Sequence, residues 1–192
     1  KAKHIHQDGN RFWISTKANL NRLAEDRANS LLQEPERLYS ELVRRIREEC
    51  KPKGNRGEFA GVHPCPDSPA EVHDEPEARL VILGPEHPHR KGLNDTAGWK
   101  TARKILDQRG SSPRINRNTL VFLAADERHI GDLLQASASY MAWQSILDEH
   151  EALNLDAFQR RQASTKVTEL DGTVSGRIHQ SWTIVLVPSQ GV

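Results

Sequence analysis

A chain of 192 residues is long enough to bury a core without disulfide or metal staples. Hydrophobic residues make up 36% and charged residues 28%, and Lys+Arg (27) balance Asp+Glu (26), which excludes bulk charge as a recruiter of nucleic acid or anionic membrane. Two cysteines, Cys50 and Cys65, form no disulfide framework, and apolar runs such as Leu120–Ala125 and Ile184–Val187 fall far short of the ~18 residues of a membrane span.

The expected setting is therefore the reducing cytoplasm, with no membrane partner. The opening Lys1-Ala-Lys-His lacks an initiator Met and an apolar signal core, and reads as the interior of a longer protein.

In chain order, the turn signal Asp8-Gly9-Asn10 precedes an aromatic and β-branched strand at Arg11-Phe-Trp-Ile-Ser-Thr16. Asn19 is placed to cap a helix in which Leu20, Leu23, Ala24, Ala28, Leu31 and Leu32 recur at helical spacing. Pro35 suits the first turn of a second helix, where its missing N–H costs nothing; Leu38, Leu42, Val43 and Ile46 form the apolar stripe.

Residues 51–78 and 84–95 read as loop-rich insertions into one α/β domain spanning 1–192, with Lys51–Gly57 a loop and Glu58–His63 a short strand. Arg79-Leu-Val-Ile-Leu83 is a strand closed by Gly84-Pro85. A helix follows over Thr96–Gln108, then the loop Arg109–Arg117, then a strand over Asn118–Ala125.

Asp126 is expected to cap a long helix to about His150, with Ile130, Leu133, Leu134, Ala138, Met141, Ala142 and Ile146 inward. A further helix is expected over Asp156–Val167 and a last strand over Trp182–Val187, stopped by Pro188. The strands are continuously apolar, which predicts burial on both faces, and they alternate with helices. The expected fold is α/β: a mixed, largely parallel sheet flanked by helices in three layers, with long Pro/His-rich loops.

Candidate chemistry is thin. Gly92-Leu-Asn-Asp-Thr-Ala-Gly98-Trp-Lys100-Thr101 approaches the phosphate loop G-x-x-x-x-G-K-[ST], but it has one residue too many between the glycines and Trp99 before Lys100. The strand ending in Asp126-Glu127 resembles the carboxylate pair that positions Mg²⁺ in P-loop ATPases; without a phosphate loop the expected roles are helix cap and dipole partner.

Arg103, Lys104, Arg109, Arg114 and Arg117 gather around a Gly/Ser/Pro loop, where guanidinium groups can grip phosphate bidentately. Arg109, Arg114 and Arg117 are the expected phosphate or nucleic-acid contacts. His63, Cys65, His73, His87 and His89 are donor types that zinc accepts, but their spacing matches no structural zinc pattern, so no metal site is expected. A metal-dependent enzyme built on the 63–89 loop is the weakest of three readings.

Several phrases resemble, in order, a segment of a family of large bacterial and archaeal proteins, predicted AAA+ superfamily ATPases with an ATPase domain of unknown function, some linked to anti-phage defence loci. They are Arg11-Phe-Trp-Ile, Asn19-Leu-Asn-Arg-Leu with Asp26-Arg27, and Arg79-Leu-Val-Ile-Leu-Gly-Pro85. Arg109-Gly, Pro113-Arg114 and Asn116-Arg-Asn-Thr-Leu-Val-Phe-Leu-Ala-Ala-Asp126 make the most specific block, followed by Ala142-Trp-Gln-Ser-Ile146, Leu153-Asn-Leu-Asp156 and Trp182–Pro188.

In that family the phosphate loop lies N-terminal to this segment. The resemblance implies an accessory domain whose partner is the upstream ATPase domain of the same chain. ATP and Mg²⁺ would belong to the parent, with no cofactor and no catalytic residue in this stretch. The alternative is a nucleic-acid-binding module using the Arg109–Arg117 loop.

Overall fold

The computed structural model describes residues 19–51 and 57–189, and the backbone of residues 4–8 and 11–15. The described residues pack as two compact units, residues 1–35 with 135–174 and residues 36–134 with 175–192. Two of the boundaries, at 134/135 and 174/175, fall inside long helices.

In the first unit, β1 (His4–Asp8) and β2 (Arg11–Ser15) form an antiparallel pair, His4 opposite Ser15 and Asp8 opposite Arg11. The expected strand at Arg11 thus exists and gains a partner that the sequence reading did not foresee; Gly9 and Asn10 lie outside the described residues. Helix α1 (Leu20–Leu32) begins where Asn19 Oδ1 accepts from the N–H groups of Asn21 (3.1 Å) and Arg22 (3.3 Å).

The apolar face of α1 joins helix α4 (Glu127–Asp148), through its residues 135–148, and helix α5 (Ala157–Ser181), through residues 157–174, in a core of Leu20, Ala24, Trp143, Ile146, Leu155 and Ala163. Arg27 clamps this unit from outside, donating to Ser145 Oγ (2.7 Å) and bidentately to Glu149.

The second unit holds α2 (Pro35–Glu49) and a four-stranded sheet in the order β3-β4-β7-β8, with β3 at Gly61–Pro64, β4 at Arg79–Ile82, β7 at Leu120–Ala125 and β8 at Trp182–Leu186. The first three strands are parallel and β8 is antiparallel to β7, so the sheet is mixed and mostly parallel, as expected. Residues 52–56 of the 51–57 loop lie outside the described residues, and the strand expected over 58–63 begins instead at Gly61.

Helix α3 (Ala97–Asp107) connects β4 to β7 and covers one face of the sheet. Ala102 and Ile105 pack there on Val81, Leu83, Leu120, Phe122 and Ala124, with Val72 beside them. On the other face Ile46 of α2 and Ile178 of α5 line a cavity of about 270 Å³ with Ile82, Leu123 and Trp182. Each fully buried Leu or Ile contributes ~1.5–3 kcal/mol of transfer free energy.

Two expectations need correction. The helix expected to stop near Val167 continues to Ser181, with Gly172 and Gly176 tolerated inside α5. The last strand, although continuously apolar, is an edge: Val185 is 59% exposed and Val187 62%. A single-stranded edge has one neighbour, and here its hydrophobicity does not signal burial on both faces. Among the described residues no helix is long and apolar enough to cross a membrane.

Candidate functional site

In open α/β sheets ligands collect outside the carboxyl ends of the parallel strands. Here β4 runs into Leu83-Gly-Pro-Glu-His-Pro-His89, and β7 ends at Ala125, with Asp126 following. His89 extends the pairing beyond the sheet: its N–H donates to Ala125 O (2.8 Å) and its carbonyl accepts from Glu127 N (3.0 Å). The buried His89 ring rests its Nδ1 2.6 Å from Thr96 Oγ1, the same oxygen that caps α3 by accepting from Trp99 N. The loop between β4 and α3 is thereby tied down at its middle and at its helix end.

The near-phosphate loop is used for packing. Gly98 N donates to Pro88 O (3.0 Å), and a Cβ on Gly98 would lie 2.7 Å from His87 O. A glycine is needed there because helix α3 abuts the His87–His89 backbone.

Asp126 is equally committed. Its Oδ1 accepts from Arg128 N (3.0 Å), the capping bond, and both oxygens accept from the Arg128 guanidinium at 2.6–3.1 Å. Those hydrogen bonds hold the carboxyl down to about 2. Glu127 pairs with Arg90 at 3.0 Å.

Of the five histidine and cysteine candidates the structure brings only two together. The rings of His63 and His73 meet edge-on with centroids 5.2 Å apart. Cys65 is buried and its thiol pushed up to about 12, chiefly by that burial, which leaves it unreactive. His87 faces Glu86 at 3.4 Å. Among the described residues no group of three or more His, Cys, Asp or Glu is placed to hold a metal ion.

The basic loop divides. Its first part is a small hairpin, β5 (Gln108–Arg109) and β6 (Ser112–Pro113), turning at Gly110 with φ +59°. Arg114 is 3% exposed and lies inside the protein: Nε donates to Ile105 O (2.7 Å), Nη1 to His73 O (3.0 Å), and Nη2 to Pro69 O and Val72 O (3.2 and 3.1 Å). It bolts the 69–73 segment to the end of α3, so its expected phosphate role is displaced by a structural one.

Arg109 and Arg117 remain outside. Arg117 and Arg103 flank the Asp107 carboxylate at 3.6 and 3.7 Å, and Arg117 also donates to Arg114 O (3.3 Å) and Asp107 O (3.5 Å); Arg109 on β5 and Lys104 near the end of α3 are exposed.

Sequence reasoning missed two residues that shape this region. Asp74 accepts from Ile115 N and Asn116 N, both at 2.8 Å, fixing the loop after Arg114; its partners lie some forty positions downstream, beyond the reach of local capping rules. Arg79 opens β4, its side chain only 9% exposed and paired with Glu75, its guanidinium lying over Gly61 where a Cβ would meet Nη1. Nε of Arg79 and Nε2 of His63 are buried without a hydrogen-bond partner among the described residues. A charged residue heading an apolar run is the signal that was available; its register partner Gly61 is visible only in the folded sheet.

A groove of about 600 Å³ opens between α2 and the ends of β3 and β4, lined by Tyr39, Arg44, Arg47, Lys51, Asp67 and Glu86. Arg47 is engaged with the carbonyls of Pro64 and Cys65 and with Asp67. Charges of both signs line it and no one ligand charge is selected.

No protein-family model, no curated protein and no solved structure matches the chain.

Proposed function

We propose that the chain is an accessory α/β module of a larger cytoplasmic AAA+-type ATPase, a scaffold or coupling element resting on an upstream nucleotide-binding domain of the same polypeptide. The ATP and Mg²⁺ chemistry would belong to that domain. The parent ATPase rests on the ordered family phrases of the sequence, and the observation that supports placing the nucleotide chemistry elsewhere is the commitment of Asp126. A P-loop ATPase keeps such a carboxylate free for Mg²⁺ and water, whereas here it caps α4 and chelates Arg128. Gly98, packed on His87 and Pro88, supports the same conclusion at the other near-motif.

Calorimetric titration with ATP·Mg²⁺ tests it: no binding heat and no phosphate release are expected, and tight binding with turnover would overturn it.

The exposed cations at the hairpin favour a second reading, a nucleic-acid-binding module working through Arg109 and Arg117. In that case affinity falls steeply with salt, and charge removal at either arginine lowers the slope of log K against log[salt] by about 1.

A further inference from the structure

Ile115 is 86% exposed, more than any other large hydrophobic side chain among the described residues. A single exposed apolar residue is ordinary on a flexible loop. This one is held rigidly. Immediately before it, Arg114 is anchored through its guanidinium to four backbone carbonyls, and its N–H donates to Asp107 O (3.1 Å). At Ile115 itself and at Asn116 the N–H groups are fixed by the Asp74 carboxylate, and Thr119 Oγ1 closes the turn on Asn116 O (2.8 Å). The fold spends a buried arginine and a capping aspartate on a loop whose tip is an isoleucine facing solvent.

The surroundings select the partner. Arg103, Lys104, Arg109 and Arg117 are exposed about this loop; Arg103 and Arg117 flank the Asp107 carboxylate at 3.7 and 3.6 Å, and Arg117 also donates to the carbonyls of Arg114 (3.3 Å) and Asp107 (3.5 Å). The other carboxylates here are engaged: Asp74 on backbone N–H groups, which draw it below the usual carboxylate range, and Glu75 on Arg79. A rigid apolar knob rimmed by guanidinium groups is the arrangement by which proteins enter the minor groove of a duplex, the cations on phosphates and the knob wedged between base pairs.

Resting on the nucleic-acid reading above, we infer that Ile115 is a base-step wedge and that the loop binds double-stranded DNA, prying open a flexible pyrimidine–purine step while Arg109 and Arg117 hold the flanking phosphates.

The test uses the whole chain, a short DNA duplex with 2-aminopurine at a central TA step, and two variants, Ile115→Ser and Arg109→Ala/Arg117→Ala, each checked for folding by circular dichroism. Wild type is expected to raise the 2-aminopurine fluorescence on binding. Ile115→Ser should abolish that rise and weaken binding roughly tenfold with an unchanged salt slope, while the double arginine variant should lower the slope by about 2. Salt-dependent binding with the same fluorescence in wild type and Ile115→Ser would remove the wedge and leave the nucleic-acid reading standing.

Failure of wild type to bind the duplex at low salt would remove both. Preference for the single strand, or displacement of the duplex by polyglutamate with no fluorescence change, would assign the surface to another partner and overturn the proposal.

Discussion

Arginine 114 shows what a guanidinium does when its surroundings withhold water. Its donors meet the carbonyls of Ile105, Pro69, Val72 and His73, so Arg114→Ala strands buried acceptors in two segments at once. We expect a loss of about 2–4 kcal/mol in urea unfolding, and Arg114→Lys should recover only part of it, since one ammonium cannot reproduce the fork. A loss within experimental error of zero would mean that the bolt carries no load.

Histidine 63 is the second case. Burial, then the nearby His73 and Arg79 charges, lower it to about 4 from an ordinary 6.5. The folded-state value is depressed, so the neutral ring contributes stability that is present above pH 6.5 and is lost as pH falls toward 4, where the unfolded chain takes up a proton that the folded chain refuses. His63→Gln should flatten the urea midpoint across that interval, and an unaltered slope in the variant would refute the assignment.

Among the elements, α5 and α3 use glycine in opposite ways. Nothing lies within 4 Å of a Cβ built on Gly172 or Gly176, so alanine at either should stabilise α5 by about 0.5–1 kcal/mol through the unfolded-state entropy it removes. At Gly98 the same methyl would lie 2.7 Å from His87 O and 3.0 Å from Pro88 O, both backbone atoms, and Gly98→Ala should lower the melting temperature. Thermal melts of the three variants give the sign directly.

The spacing of apolar residues was enough to place α1 and α2, because each has one wet and one dry face: Leu38, Leu42 and Ile46 are the buried residues of α2. It was not enough for the second half of α5, where Val174 and Ile178 are the buried apolar positions and local pattern fades into polar sequence.

At the scale of the whole chain, the sheet depends on a bond made across 99 positions. Trp182 Nε1 donates to Leu83 O at 2.8 Å, linking the start of the antiparallel edge strand to the residue that follows β4. Trp182→Phe keeps most of the apolar volume but leaves that carbonyl buried and unpaired; the expected cost is about 1–3 kcal/mol in chemical denaturation. A variant as stable as wild type would show that packing alone holds β8.

The sequence by itself determined the α/β class, the strands at 79–82 and 120–125, and the caps at Asn19 and Asp126, because periodicity and capping act over a few residues. Only the tertiary structure decided that Arg114 is interior while Arg109 and Arg117 are not, that Asp74 organises a loop forty residues away, and that the apolar β8 is an edge. These depend on which distant carbonyls, N–H groups and strands come within bonding distance, and hydrogen-bond geometry between segments far apart in the chain leaves no trace in local composition.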